Sequence, residues 1–202
     1  IVKKILTALV VATGLLLTGC SNVDAALTMG DTKITTAELQ TTANLILAER
    51  TKVDTSQMQL ENGETLLRNQ LNFQLLLAGF AEIAKELSIQ VTSSEIAGRR
   101  AQIVEQVGGA EALPTALVSA SITPADLDGY LRAVVTTEKL GQALVQTGVA
   151  EAEVQTRVQE LLINKLNQLK IKVNPRYGKW DVTTGQIVAA DPAGDVVTPS
   201  NE

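Results

Sequence analysis

The amino-acid sequence predicts a mainly α-helical fold with short β segments near its two ends. Three segments place a threonine three residues before an acid, a pattern typical of helix starts. The stretch between residues 62 and 87 is apolar on most of its sides, as expected for a helix with several packing neighbours. Short extended segments bounded by turn residues occur at 26–34 and 171–181, and these predict the β structure.

The N-terminal β segment is predicted to be a hairpin whose turn is Gly30-Asp31. Three helices are expected after the threonine caps, at about 36–52, 93–107 and 124–147. In each, the threonine oxygen can accept from a free backbone N–H while the acid bonds back to the cap residue. The three pairs are Thr35 with Glu38, Thr92 with Glu95, and Thr123 with Asp126.

Two more helices are predicted, at about 62–87 and 150–169. Gly108-Gly109 is expected to end the helix that precedes it, because glycine favours turns and breaks helices. Residues 110–120 contain Pro114 and predict a short, irregular helical segment.

A strand at 171–173 and a turn structure at 174–181 are expected to close the folded part, since Asn-Pro and Tyr-Gly pairs favour turns. From about Thr183 the chain carries Gly, Pro, Asp, Thr and Ser without apolar periodicity, which predicts a disordered tail. The expected organisation is therefore a signal segment, a spacer, one folded domain and a tail, at 1–19, 20–25, 26–182 and 183–202.

The first twenty residues have the features of a secretory signal that ends in a lipid-attachment site. Lys3 and Lys4 precede an apolar run, Ile5–Leu17, that is shorter than the roughly 20 residues needed to cross a bilayer. Residues 17–20 (LTGC) resemble the bacterial lipobox, which implies cleavage before Cys20 and acylation of its thiol. Cys20 is the only cysteine, so no disulfide explains it. The alternative is an ordinary signal peptide with an incidental thiol.

The charge and composition exclude several classes of function. The net charge is −5 at pH 7, and removal of Lys3 and Lys4 with the signal makes it two units more negative. An acidic chain without a basic block is unsuited to binding nucleic acid. Histidine is absent, which removes the usual general base and the commonest metal ligand. No glycine-rich phosphate-binding loop occurs either.

The remaining charged pairs favour solvated helix faces over chemistry. Two acidic pairs have i, i+2 spacing, and such residues point apart on a helix, so neither forms a metal clamp or an acid–base couple. Arg99-Arg100 is interpreted as surface charge. We therefore expect no catalytic residues, no metal site and no cofactor. The acidic pairs are Glu151 with Glu153 and Asp126 with Asp128.

Three segments resemble the SurA N-terminal-like domain of periplasmic and lipoprotein folding factors, a group that includes the PrsA foldases. Residues 29–39 (MGDTKITTAEL) are similar to the opening of that domain, V-G-x-x-x-I-T-x-x-E-L. Residues 87–96 (LSIQVTSSEI) are similar to its recurrent junction after a long apolar helix. Residues 173–180 (VNPRYGKW) resemble the close of lipoprotein members without a catalytic module. The resemblance covers roughly residues 26–182.

This resemblance implies both a fold and a limit on mechanism. The family fold pairs the N-terminal hairpin with the C-terminal strand in a small sheet, and its helices enclose a cradle lined by aliphatic side chains. Many relatives insert a parvulin-type prolyl isomerase domain before the last helix, but here residues 146–149 pass directly into Ala150-Glu151. A chain without histidine also lacks the parvulin histidines. Isomerase activity is therefore not expected.

The resulting functional hypothesis is a lipid-anchored, non-catalytic chaperone on the extracytoplasmic face of a bacterial cell membrane. Its partners would be unfolded or nascent exported polypeptides. Tyr177 and Trp180 are candidate client-binding residues because aromatic residues are rare in this chain, although they could equally fasten the closing turn to the helices. The aliphatic residues could likewise fill a closed core. The alternative function is a structural or adaptor lipoprotein that binds one specific envelope partner.

Overall fold

The structure is a computed structural model that describes residues 24–190. The predicted signal segment, Cys20 and the residues from 191 onward lie outside this part of the chain. Strands β1 (Ala25–Met29) and β2 (Thr32–Thr35) precede helices α1 (Thr36–Arg50), α2 (Gly63–Glu86) and α3 (Ser93–Gln106). A short 3-10 turn (Ala110–Ala112) leads into α4 (Leu113–Ser119), followed by α5 (Leu127–Gln146) and α6 (Glu151–Gln168). Strands β3 (Lys172–Val173), β4 (Lys179–Asp181) and β5 (Gln186–Val188) complete the described chain.

The predicted mainly α fold with a small sheet is confirmed. The sheet has the order β2-β1-β3, and both of its pairings are antiparallel. Leu27 of β1 lies opposite Val173 of β3, so the two ends of the domain meet in the sheet. Two further bonds fasten this junction: the Asn174 backbone N–H donates to the Ala26 carbonyl at 2.9 Å, and Asn174 Nδ2 donates to the Ala25 carbonyl at 3.2 Å.

Two of the three predicted capping boxes are present in full. The Thr35 hydroxyl accepts from the Glu38 backbone N–H at 3.1 Å, and Glu38 Oε2 accepts from the Thr35 backbone N–H at 2.7 Å. The same reciprocal pair joins Thr92 and Glu95, at 3.2 and 2.8 Å. These bonds satisfy backbone donors that the first turn of a helix would otherwise leave free.

The third cap differs from the prediction. The Thr123 hydroxyl accepts from the Asp126 backbone N–H at 3.2 Å, and it donates to Asp126 Oδ2 at 2.6 Å. The aspartate side chain is one methylene shorter than glutamate and bonds the hydroxyl, whereas a capping box needs it to reach the backbone N–H. Residues 124–126 form a turn, closed by the bond from the Asp126 N–H to the Thr123 carbonyl. Helix α5 consequently begins at Leu127 and not at the predicted residue 124.

Helix α2 lies at the centre of the packing, as its apolar sequence predicted. It contacts α1, α5, α6 and β5. Leu71 and Leu75 pack with the sheet and with α6, while Phe80 and Ile83 pack with α5 and α6 farther along the helix. A Cβ atom at Gly79 would overlap Leu162 Cδ1, so α2 and α6 approach each other closely there. The two hydrophobic clusters are therefore both built on α2, one on each half of the helix.

The predicted end of the domain at residue 182 is wrong. Residues 186–188 form β5, which pairs antiparallel with β4, and Ile187 is buried in the main core with 2% of its surface exposed. The intervening turn is stabilised by Asp181, whose Oδ1 accepts from the Thr183 backbone N–H at 2.8 Å. The composition predicts a tail here because a three-residue strand is too short to show periodicity.

The Glu95 cap provides a test that depends on pH. Lys139 Nζ donates to Glu95 Oε1 at 2.6 Å, and this bond, with the bonds from Thr92, lowers the pKa of Glu95 from 4.5 to about 2. A lowered folded-state pKa adds stability above the unfolded pKa, and that stability is lost as the pH falls toward the folded value. Glu95→Gln keeps the cap geometry but removes the charge. We expect it to be less stable than wild type at pH 7, with the difference shrinking between about pH 5 and pH 2.

Urea unfolding at several pH values measures this difference. Glu105→Gln is the matched control, since Glu105 is an exposed acid near the end of the same helix, and its effect should be small throughout. A Glu95→Gln deficit that stays constant down to pH 2 would contradict the role of the charge.

Candidate functional site

A cavity of about 570 Å³ lies between α2 and α6 and is partly open to solvent. The loop between α1 and α2, the end of α4 and the β4–β5 turn form its other walls. We call this cavity the central groove. Its apolar lining comprises Leu60, Phe73, Leu76, Ala120, Leu162, Ile163, Leu166 and Gly185. Its polar lining comprises Gln59, Glu61, Asn69, Gln70, Asn72, Ser119, Ser121, Gln159, Thr184 and Gln186.

The floor of the central groove is continuous with the hydrophobic core. Leu166 belongs to the main core cluster, Leu76 packs against the second cluster, and Leu162 packs against both. Because these side chains are held by the α2–α6 contact, the floor is a fixed apolar surface.

The walls are unusually rich in carboxamide side chains. Asn72 bonds both backbone groups of Ile187: its Oδ1 accepts from the Ile187 N–H at 2.7 Å, and its Nδ2 donates to the Ile187 carbonyl at 3.1 Å. This pair of bonds is the pattern that a neighbouring strand would make, and it holds β5 against α2. The carboxamides of Gln59, Gln159 and Gln186 have no hydrogen-bond partner within residues 24–190 and are exposed.

Gln70 is the most deeply buried polar side chain of the groove. It is 3% exposed, and its Nε2 donates to the Ser121 carbonyl at 2.9 Å. Its Oε1 is buried and has no hydrogen-bond partner among residues 24–190. Leaving such an acceptor unpaired costs roughly 1–3 kcal/mol.

Arg50 fixes the loop that forms one wall. It is only 9% exposed, and its Nη1 donates to the Glu61 carbonyl at 2.8 Å and to Asn62 Oδ1 at 2.9 Å. Its Nη2 donates to the Ser121 hydroxyl at 3.3 Å. The guanidinium therefore joins the α1–α2 loop to the turn before α5. Sequence reasoning missed Arg50, although the buried positions Leu39, Ala43 and Ile46 continue to it at helical spacing.

The structure does not place the predicted client-binding aromatics in the groove. Tyr177 is 4% exposed and belongs to the main core cluster, so its ring is not available to a client. Trp180 is half-buried against the same cluster, and its Nε1 donates to Asn167 Oδ1 at 3.2 Å. Both residues fasten the closing turn to the helices, which was the alternative interpretation. Cys20 lies outside the described residues.

The arginine pair at 99–100 is engaged in ion pairs between α3 and α5. Arg99 contacts Glu138 at 3.1 Å, and Arg100 contacts Asp128 at 2.5 Å. These pairs, together with the Lys139–Glu95 pair, cross-link the two helices. The interpretation of Arg99-Arg100 as structural surface charge agrees with these contacts.

Within residues 24–190, no three His, Cys, Asp or Glu residues are grouped so that they could hold a metal ion. None of the helices in this range combines the length and the apolar character needed to cross a membrane. Comparison with protein-family models, with curated proteins and with solved structures gives no match.

Asn72 provides a test of how the groove wall is built. Asn72→Ala removes both bonds to Ile187 and leaves its backbone groups unpaired near the core, so we expect a loss of about 1–3 kcal/mol in the free energy of unfolding. Proteolysis between residues 183 and 190 should also become faster. The matched control is Asn44→Ala, because Asn44 is exposed on α1 and its side chain bonds only Gln40 within the described residues. Equal effects of the two substitutions in both assays would show that Asn72 does not hold this wall.

Proposed function

We propose that this chain is a membrane-tethered, non-catalytic chaperone that binds extended segments of exported polypeptides in the central groove. The observation that carries the proposal is the combination of a fixed apolar floor with carboxamide walls in one partly open cavity. Its volume of about 570 Å³ lies within the usual range of binding cavities, roughly 300–1,000 Å³.

The chemistry of the walls suits a polypeptide main chain. A carboxamide carries both a donor and an acceptor, so it can pair with the N–H or the C=O that every extended residue exposes. Asn72 already makes this kind of double bond to the backbone of Ile187. Gln59, Gln159 and Gln186 are free to do the same for a client. Backbone recognition is independent of sequence, and the apolar floor accommodates apolar side chains.

The resemblance of residues 29–39 and 87–96 to folding-factor domains supports the same function. No isomerase module is inserted between residues 146 and 150, before α6. This also supports a chaperone that acts by binding and not by catalysis. The lipobox-like residues 17–20 support a tether through Cys20. An anchored domain meets emerging exported chains at a raised effective concentration, which compensates for weak individual contacts.

A specific adaptor lipoprotein is the competing function, and crosslinking separates the two. A photoreactive side chain at Gln159, on the exposed wall of the groove, should label many exported chains if the protein is a chaperone. One dominant labelled partner would favour the adaptor.

Narrowing the groove should reduce the ability of the protein to suppress aggregation of unfolded clients. The mature chain, residues 20–202, is expected to suppress aggregation of a chemically unfolded client at near-stoichiometric ratio, as measured by light scattering. Gln159→Trp places a bulky ring at the mouth of the groove and should raise the amount of protein required several-fold. Gln155→Trp is the matched control, since Gln155 is exposed one turn earlier on α6 and does not line the groove. Failure of the wild-type chain at a large molar excess over several clients would refute the proposed function.

The anchor is tested separately. Cys20→Ser should abolish incorporation of labelled palmitate and move the protein from the detergent phase to the aqueous phase in a cloud-point separation, because the thiol that carries the lipid is gone. Ser21→Ala, at the neighbouring position, should leave both properties unchanged. Palmitate incorporation that survives Cys20→Ser would exclude Cys20 as the attachment site.

A further inference from the structure

The central groove contains a single charged side chain among its described lining residues. That residue is Glu61, whose carboxylate accepts a hydrogen bond from Asn69 Nδ2 on α2. Glu61 is exposed in the loop between α1 and α2. A ligand that enters this end of the groove therefore meets a negative charge on the wall.

A second acceptor lies at the same end. Gln70 follows Asn69 on α2, is 3% exposed, and has a buried Oε1 without a hydrogen-bond partner in the described part of the chain. The two acceptors are also linked through Arg50, which bonds the Glu61 carbonyl and the hydroxyl of Ser121, the residue whose carbonyl accepts from Gln70. This end of the groove thus presents the Glu61 carboxylate and the Gln70 amide oxygen as acceptors. Its donors include the exposed Gln59 carboxamide and the buried Arg50 Nε, which has no partner among residues 24–190, so the property that sets this end apart is the negative charge of Glu61.

Arg50 is a cation close to this end of the groove, because it bonds the backbone carbonyl of Glu61. The side chain is 9% exposed and is not part of the groove lining. Its bonds run to the neutral oxygens of Glu61, Asn62 and Ser121. Its charge offsets part of the field of Glu61, so the preference expected below is modest.

We infer that the central groove selects extended polypeptide segments that carry a lysine or arginine, with the basic side chain placed beside Glu61 and near Gln70. This inference rests on the proposed function and narrows its class of clients. An ammonium carries three donors and a guanidinium five, so either can form a charge-assisted hydrogen bond with the carboxylate of Glu61. An acidic side chain at the same point would be repelled by the carboxylate of Glu61.

Binding of three labelled peptides to the mature chain, residues 20–202, tests the inference by fluorescence anisotropy. The peptides are short, apolar and unstructured, and they differ only in one central residue, which is Lys, Gln or Glu. The Lys peptide should bind roughly two- to fivefold more tightly than the Gln peptide, as expected for a single exposed charge pair. The Glu peptide should bind more weakly than both. Raising the salt concentration should reduce the Lys preference, because screening acts within about 3 Å at 1 M salt.

Glu61→Gln should bring the affinity ratio of the Lys and Gln peptides close to one. Glu105→Gln changes the net charge equally but lies on α3 outside the groove, so it should keep the wild-type ratio. Equal binding of the three peptides by wild type, or a ratio unchanged by Glu61→Gln, would overturn the inference and leave the proposed function standing. Absence of binding to any of the peptides would overturn both. If Glu61→Gln is unstable, the salt dependence of the Lys-to-Gln affinity ratio of the wild-type chain still tests whether charge causes the preference.

Discussion

The close contact of α2 with α6 is the constraint on which the rest of the structure depends. Gly79 allows it, because a Cβ at this position would overlap the side chain of Leu162. Leu162 packs against both core clusters of α2, so the same contact joins the half of the core beneath the sheet to the half beneath α5. The two helices also supply the floor of the central groove. Core and groove are therefore two sides of one interface, and the floor has the rigidity of the core.

Local features of the fold could be predicted from the sequence, while non-local features could not. Thr35 and Thr92 form their capping boxes as expected, because both partners lie within one turn and the chemistry is complete in four residues. Ile187 was assigned to a tail, since its burial depends on Asn72, which lies on a helix far away in the chain. Tyr177 is a candidate client-binding residue in the sequence, with packing of the closing turn as the alternative, because composition marks an aromatic as rare but does not indicate which way it faces.

The groove itself illustrates the same limit. The family resemblance implies a cradle lined by aliphatic side chains, and the floor of the groove is apolar as that predicts. It does not indicate the carboxamides that are prominent on the walls. Those walls come from segments that two long-range contacts bring to α2: Arg50 with Ser121, and Asn72 with Ile187. A carboxamide in a sequence gives no sign of its partner, because most Asn and Gln side chains lie on solvated surfaces. Only the assembled fold distinguishes Asn72, which is bonded on both sides, from Gln159, which is free.

If the groove binds clients through their backbone N–H and C=O groups, the proposed chaperone can release them without catalysis or an energy source. An unfolded segment offers unpaired N–H and C=O groups to the walls and apolar side chains to the floor. As the client folds, it pairs those groups within its own helices and sheets and buries the same side chains, so its affinity for the groove disappears. Each contact is individually weak, which keeps dissociation fast enough for folding to compete. The tether proposed at Cys20 raises the effective concentration of the groove near exported chains, which compensates for the weak contacts. The distinction between unfolded and folded clients then follows from whether their backbone groups are already paired.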